Sequence, residues 1–253
     1  MSIDHVTARG NSFDPEEASS SGFPLPPRRN DLRTAEIVPL VPPAAVRGRS
    51  VQAAIKRGLD IVGSLMLIAL ALPIALLVSL AITFDSPGPI LFKQRRLGRL
   101  GREFALLKFR TMVVDGDAAL AEHVASDRTL REEWERSRKL RNDPRTTRVG
   151  LFLRRHSLDE LPQVLNVLRG NMSLVGPRPV ARDEIAYFGE GGPQILSARP
   201  GLTGLWAVSG RSDISYPERA ALELRYATSW NLWMDVKILI RTIPVVIHGH
   251  GAY

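Results

Sequence analysis

Between Ile61 and Phe84 the chain reads IVGSLMLIALALPIALLVSLAITF, without one charged side chain. As a straight helix this run would extend roughly 36 Å, more than the ~30 Å of a bilayer hydrocarbon core. So long an uncharged stretch is uncommon in a soluble core, and the rest of the chain has to be arranged around a membrane segment. Two features complicate a simple crossing. Pro73 lies near the middle, where its ring removes a backbone hydrogen bond and crowds the preceding turn. Basic residues also flank both ends: Arg47, Arg49, Lys56 and Arg57 before, Lys93, Arg95, Arg96, Arg99 and Arg102 after. Lys and Arg concentrate on the cytoplasmic side, so a spanning helix would carry them mainly at one end. The symmetric flanks predict a re-entrant helix that bends at Pro73 and returns to the face it came from. A Pro-kinked spanning helix is the alternative, since such kinks are tolerated in lipid.

The formal charge of +8 points to an anionic partner: phospholipid headgroups, a phosphorylated substrate or nucleic acid. Nucleic acid is disfavoured, because no base-reading motif accompanies the basic residues. With no cysteine, disulfides and thiolate chemistry are excluded. No apolar stretch follows Met1, so no secretory leader is expected and Ile61–Phe84 is itself the anchor.

Residues 1–49 carry SSSG, PLPP and VPP with mixed charge and no sustained period, the composition of a disordered tail. Ser50 is placed to cap a helix that runs on through 84, with Lys56 and Arg57 at headgroup level. After Asp85-Ser86-Pro87-Gly88-Pro89, ILFKQ and FALLKFRTM read as two strands of a hairpin with a cationic tip. Lys108 and Arg110 alternate with Phe109 and are expected on one side, facing solvent or an anionic pocket. Asp115-Gly116-Asp117 has the form of a short metal-holding acidic triplet, a weak signal that recurs by chance. Ala118 to Leu140 reads as a solvated, charge-laced helix ended by Asn142-Asp143-Pro144. Pro217–Trp230 has helical spacing. Leu232–Ile247 is apolar but broken by Asp235, Lys237, Arg241 and Pro244, which suits an interfacial helix with Trp230 and Trp233 at the boundary, or one packed on the domain.

The most informative block is Arg154 to Pro179, RRHSLDELPQVLNVLRGNMSLVGPRP. Ser157-Leu158-Asp159-Glu160 has capping-box spacing, and Leu161, Val164, Leu165 and Leu168 supply an apolar helical face. On that reading Asp159 and Glu160 only begin a helix. Pro162 resists it, because it falls in the first turns, so the helix starts later or the turn is irregular. Adjacent carboxylates on such a turn, preceded by Arg154 and Arg155, can instead hold a divalent cation and a phosphate together. Pro179 drives Arg178 toward an extended backbone and fixes where its guanidinium points.

These stretches, with KRGLDIVGSL, SPGPILFKQRRLG, ARPGLTGLW, VSGRSD and the terminal GAY, resemble the bacterial sugar transferases of the monotopic phosphoglycosyl transferase family. The likeness covers roughly residues 55–253 in order. It implies transfer of a hexose-1-phosphate, of galactose or glucose, from a UDP-sugar to undecaprenyl phosphate, starting exopolysaccharide or O-antigen assembly. By the same resemblance Asp159 is the nucleophile, Glu160 and Asp159 hold Mg²⁺, and Arg154, Arg178 and Arg211 bind phosphate. Lys108 and Arg110 are the further substrate-facing candidates. The family's re-entrant helix agrees with the flanking-charge argument. Three departures stand out: Leu72-Pro73 where the family often has Ser-Pro, Ala207 where glutamine commonly follows GLW, and a tail where longer relatives carry membrane spans.

The expected architecture is a helix-rich α+β protein, monotopic on the cytoplasmic face of a bacterial inner membrane. It comprises a disordered tail (1–49), a Pro-broken re-entrant helix (50–84) and a small catalytic domain with a C-terminal interfacial helix (85–253). UDP-sugar, undecaprenyl phosphate, membrane phospholipid and a second copy of the chain are the expected partners. An N-acetylated sugar in the same reaction, or a non-enzymatic scaffold for polysaccharide assembly, are the alternatives.

Overall fold

The computed structural model describes residues 50–114, 116–137, 140, 143–211 and 214–248. The tail, Asp115 of the acidic triplet, Ser212-Asp213 of VSGRSD and the terminal GAY lie outside the described residues. Every described residue falls within the compact unit Ile37–Tyr253.

Helix α1, Ser50–Asp85, runs through Pro73 without interruption, so the break expected at that proline is not formed and the helix is one element. Its half-buried and buried positions include Arg57, Asp60, Ser64, Ile68, Ala71, Ala75, Val78 and Ile82, with Lys56, Ile61, Gly63, Ser79, Ala81 and Asp85 beside them. The spacing of three or four residues makes one stripe along the whole helix. The opposite surface is mostly apolar and exposed, including Leu59, Val62, Met66, Leu70, Leu77 and Phe84. That outer surface suits hydrocarbon, where backbone groups bonded within the helix need no water. Ser79 and Thr83 turn their hydroxyls back to the carbonyls of Ala75 and Ser79, at 2.7 and 2.9 Å, and so bring no unsatisfied group into the apolar surface.

Lys56 and Arg57 do not reach out to headgroups. Lys56 Nζ pairs with Asp235 at 2.6 Å and donates to the Val175 carbonyl at 2.9 Å. Arg57 donates to the carbonyls of Val167 and Leu168, both at 2.7 Å. Those carbonyls lie in the last turn of a helix, where a cation is favourable. The ties reach over more than a hundred residues, which the local charge pattern does not disclose. Asp60 adds another: its Oδ1 accepts from the Ser173 hydroxyl and the Leu174 amide, both at 2.9 Å.

β1 (Leu91–Leu97) and β2 (Glu103–Phe109) form the expected antiparallel hairpin, registered from Leu91 opposite Phe109 to Leu97 opposite Glu103. The charge-laced segment is two helices, α2 (Asp117–Ser126) and α3 (Arg128–Ser137). They part at Asp127, whose extended backbone leaves its Oδ1 to accept from Thr129 N at 2.6 Å, a local cap that competes with helix continuation. Then come α4 (Arg148–Arg155), a 3₁₀ turn Leu158–Glu160 and α5 (Gln163–Arg169). Two three-residue strands, β3 (Ser173–Val175) and β4 (Gly201–Thr203), pair in parallel, so the turn-rich link at Arg199–Gly204 contains a strand. Glycines permit this close crossing, since a Cβ on Gly201 would lie 2.1 Å from Gly176 N. Between them lie a kinked 3₁₀ segment, Asp183–Gly191, and α6 (Gly192–Ser197); α7 (Tyr216–Ser229) and α8 (Leu232–His248) complete the fold.

Three apolar clusters hold these pieces. Phe104 and Leu106 of β2 meet Val167, Met172, Leu174, Tyr226 and Ile238. Leu97 and Val180 meet Phe188, Ile195 and Leu196. Val78 and Ile82 of α1 meet Phe109 and Leu153. The opposite faces of β2 thus feed different clusters, and α1 packs on the domain near both of its ends.

Candidate active site

The site forms where β2 ends and the 3₁₀ turn begins. β2 has an edge free for pairing, and the side-chain amide of Asn166 supplies the partner: its Oδ1 accepts from Leu107 N at 3.0 Å and its Nδ2 donates to the Ala105 carbonyl at 2.8 Å. Asn166 is buried in α5, so this pair of bonds locks the helix to the strand. The next strand residue, Lys108, is thereby aimed at the turn. Its Nζ lies 2.9 Å from Glu160 Oε1 and 3.5 Å from Asp159 Oδ2.

The turn is irregular, as Pro162 demands. Ser157 adopts a left-handed conformation (φ 55°) and makes no capping bond with its side chain. The capping box expected here is therefore not formed; α5 begins only at Gln163, behind Pro162. A working capping box occurs instead at Ser215 and Glu218, on α7. Left-handed backbone is unfavourable for a residue with a Cβ, and such residues concentrate where surrounding structure imposes them. Arg211 is another, at φ 54°, and its Nη2 lies 3.4 Å from Ser157 Oγ. Two strained residues thus meet beside the carboxylates.

Asp159 is buried, and that burial raises its pKa above the ordinary carboxylate value. Lys108 opposes the rise most, Glu160 adds to it, and Arg154 opposes it. Arg154 stands on α4, where its Nε donates to Thr111 Oγ1 at 3.0 Å. α4 can sit so close because residue 150 is glycine: a Cβ there would lie 2.1 Å from the Thr111 carbonyl oxygen. Burial lowers the Arg154 pKa, with Asp159 and then Asp143 acting against it. Asp143 is itself engaged by Arg145 Nη2 at 2.8 Å.

Arg178 enters from the other side. Its amide donates to Glu223 Oε1 at 3.0 Å, and its guanidinium lies 5.6 Å from the Trp206 ring centroid. Burial lowers its pKa first, then the neighbouring Arg219; Glu184 acts in the opposite sense, Arg96 with Arg219, and Glu160 again with Glu184. Arg96 pairs with Glu184 at 3.1 Å. Arg96, Arg178 and Arg219 around Glu184 leave an excess of positive charge fit for phosphate. Arg110 goes elsewhere. It lies beyond the end of β2, is buried, and donates through Nη2 to the Ser86 carbonyl at 2.6 Å and the Ser86 hydroxyl at 3.0 Å. Lys108 and Arg110 therefore do not share one pocket, because strand alternation stops at Phe109.

A model of the bacterial sugar transferase matches residues 51–249. The chain belongs to the bacterial sugar transferase family. It is 46% identical over 199 residues to the undecaprenyl-phosphate galactose phosphotransferase of Salmonella typhimurium, covering 79% of this chain and 42% of that protein. It is 44% identical over 198 residues to the exopolysaccharide production protein ExoY of Rhizobium meliloti, covering 78% and 88%. A UDP-glucose:undecaprenyl-phosphate glucose-1-phosphate transferase of Caulobacter vibrioides is 44% identical over 209 residues, covering 78% and 72%. The match thus spans less than half the length of some relatives and most of others.

In this sugar transferase the sequence motifs single out Asp159, Glu160, Arg154, Arg178, Lys108 and Arg211; the fold brings Lys108, Arg154 and Arg211 to the Asp159–Glu160 turn and sets Arg178 within electrostatic reach of Glu160. They miss Asn166, Thr111, Glu223, Arg96 and Arg219. Asn166 alone left a signal, a polar residue on the apolar face of α5. For Mg²⁺ the donor chemistry fits: the ion commonly takes one or two protein carboxylates and completes its shell with substrate phosphate and water. Asp159 and Glu160 offer that pair, while among the described residues no cluster of three or more acidic, His or Cys side chains could hold an ion alone.

Proposed function

We propose that the chain transfers a hexose-1-phosphate, of galactose or glucose, from a UDP-sugar to undecaprenyl phosphate. The observation that carries this reading is the buried Asp159 carboxylate, held at 3.5 Å by Lys108 on a strained turn. A carboxylate withdrawn from water, with cations on either side, suits nucleophilic attack on a phosphorus that carries negative oxygens. An Asp159 oxygen attacks the β-phosphorus; the bond from that phosphorus to the bridging oxygen breaks and UMP departs, leaving a phosphosugar on Asp159. A phosphate oxygen of the carrier then attacks the same phosphorus, the bond to Asp159 breaks, and the carboxylate is restored. Lys108 and Arg154 offset charge at the attacked phosphorus, and Arg178 with Arg219 and Arg96 orients the outgoing phosphate. Glu160 and Asp159 would hold Mg²⁺, which when bound would supply charge neutralisation on the diphosphate.

The membrane placement follows the same logic. α1 is fastened near its start by Lys56 and Arg57 and at its end by Val78, Ile82 and Ser86, all to the domain that carries Asp159. Both termini on one domain support a re-entrant, monotopic arrangement on the cytoplasmic face of the inner membrane, which brings the carrier phosphate to the nucleophile. Single cysteines at Ser50 and Ser86 should both be labelled from the cytoplasmic side; labelling of one by a periplasmic reagent alone would mean that the helix spans.

The reaction itself is tested by trapping. A UDP-hexose labelled in its sugar, given without acceptor, should leave label on the wild-type chain and none on Asp159→Asn. Label retained by the variant would remove Asp159 as the nucleophile.

A further inference from the structure

Helix α8 has three edges of different chemistry. Asp235 and Ile238 are buried in the domain. Trp233, Ile240, Ile243 and Val246 are apolar and turned outward, Ile240 and Ile243 each 60% exposed. Lys237 and Arg241, one turn apart, occupy the edge beyond and line a groove of about 360 Å³ that α8 shares with Arg225 of α7. Among the described residues none of these three cations has a carboxylate within 4 Å. Lys237 Nζ stands 5.5 Å from the Trp233 ring centroid, so an amphipathic aromatic marks the border between the cationic groove and the apolar edge.

We propose that this groove seats the headgroup of an anionic bilayer phospholipid, whose acyl chains lie along the outward apolar edge of α8. In water the edge from Trp233 to Val246 would remain an uncovered apolar surface; deep in hydrocarbon Lys237, Arg241 and Arg225 would lose their solvation. Only the headgroup boundary satisfies both. Lys56 of α1 pairs with Asp235 in the first turn of α8, so α8 is fastened directly to the membrane helix. Three converging cations without carboxylate partners call for an anion, and a phosphodiester attached to acyl chains matches groove and edge together. The seat is separate from the cations of the candidate active site. The inference rests on membrane association, not on the transfer reaction.

Native mass spectrometry of the full chain released from nanodiscs tests it, with phosphatidylglycerol and phosphatidylcholine of matched chains. The wild type should retain a phosphatidylglycerol at least fivefold over phosphatidylcholine, and Arg225→Gln/Lys237→Gln/Arg241→Gln should lose that preference. Asp159→Asn should keep it, so loss of transfer and loss of the lipid are read separately. Equal retention of both lipids by the wild type, or an unchanged preference in the triple variant, overturns the proposal. One-for-one displacement of the bound lipid by a polyprenyl phosphate also overturns it, by assigning the groove to the acceptor. Should the triple variant misfold, tryptophan emission of the unaltered chain reads the same seat. Brominated phosphatidylglycerol should quench it more than brominated phosphatidylcholine, and Trp233→Phe should abolish the difference; equal quenching overturns the proposal.

Discussion

Asp159 and Glu223 are both acidic, both buried and both raised in pKa by that burial, yet the fold treats them differently. Asp159 sits on an irregular turn with Lys108 at 3.5 Å and Arg154 contributing to its field. Glu223 sits within α7, 1% exposed; its Oε1 takes the Arg178 amide and its Oε2 has no partner among the described residues. Burial pushes its pKa up to about 8, against the Arg178 amide and the fields of Arg219 and Arg178. One carboxylate is faced by Lys108 and Arg154, which oppose the rise in its pKa and suit the role proposed for it. The other, governed mainly by its burial, is pushed up to about 8 and accepts from the backbone amide of Arg178. Burial alone therefore does not mark a catalytic group; the identity of what faces it does.

The comparison breaks most sharply at Asp159. Under the proposed reaction Asp159→Asn should lower turnover at least ~1000-fold while leaving thermal stability close to wild type, because the amide keeps the shape and sheds a charge from a buried position. UMP release measured beside a melting curve checks both. Turnover within tenfold of wild type would return the turn to a structural role.

Lys108→Met comes next. The cation that most lowers the Asp159 pKa is removed, so that pKa should climb further. The acid limb of kcat/KM should then move to higher pH, with a loss on the order of 10- to 100-fold at neutral pH. A pH profile unchanged in position would show that Lys108 acts only as a structural tie.

At Glu223 the readout is stability. Its folded pKa lies above its unfolded value, so the folded chain holds a proton that the unfolded chain gives up as pH rises from about 4.5 toward 8. The associated stability is complete below pH 4.5, falls across that interval and levels off above 8, by at most about 5 kcal/mol at 1.36 kcal/mol per pKa unit. Glu223→Gln should flatten this slope while keeping an acceptor for the Arg178 amide. Glu223→Ala leaves that amide unpaired, should cost about 1–3 kcal/mol, and should raise KM more than it lowers kcat. Denaturation midpoints at several pH values check the slope.

How far the sequence disclosed these two sites follows from the range of the forces. The hairpin, α7 and α8 were legible because alternation and helical period are local, and Pro162 announced that the turn at Asp159 would not be regular. The capping-box reading of Ser157 failed because the same spacing fits an ordinary helix start; only the tertiary contacts of that turn hold Ser157 left-handed. Lys56 and Arg57 looked like headgroup charges for a similar reason, since nothing near them in the chain shows Asp235 or the carbonyls of Val167 and Leu168. The parallel pair β3 and β4 has three residues a side, too few for a period. Glu223, within LELRY, has the setting of a surface residue on an amphipathic helix until α7 is packed against the Arg178 loop.

Strain separates the two sites as well, and it gives the smallest effect. α7 opens with a completed capping box at Ser215 and Glu218, whereas the Asp159 turn begins on Ser157 at φ 55°. Ser157→Gly removes a left-handed penalty of about 1 kcal/mol. It also frees the unfolded chain, which takes back about 0.4–1 kcal/mol. The net change in stability should fall between zero and a gain of about 0.6 kcal/mol, at most about 2 °C in melting temperature for a domain this size. Under the proposed reaction activity should move the other way, because the variant loses the hydroxyl 3.4 Å from Arg211 and with it one restraint on that guanidinium. A KM for the UDP-sugar raised severalfold, with the melting point unchanged or higher, would mark the strain as part of how the site is held. A lower melting point with KM unchanged would show that Ser157 serves the fold alone.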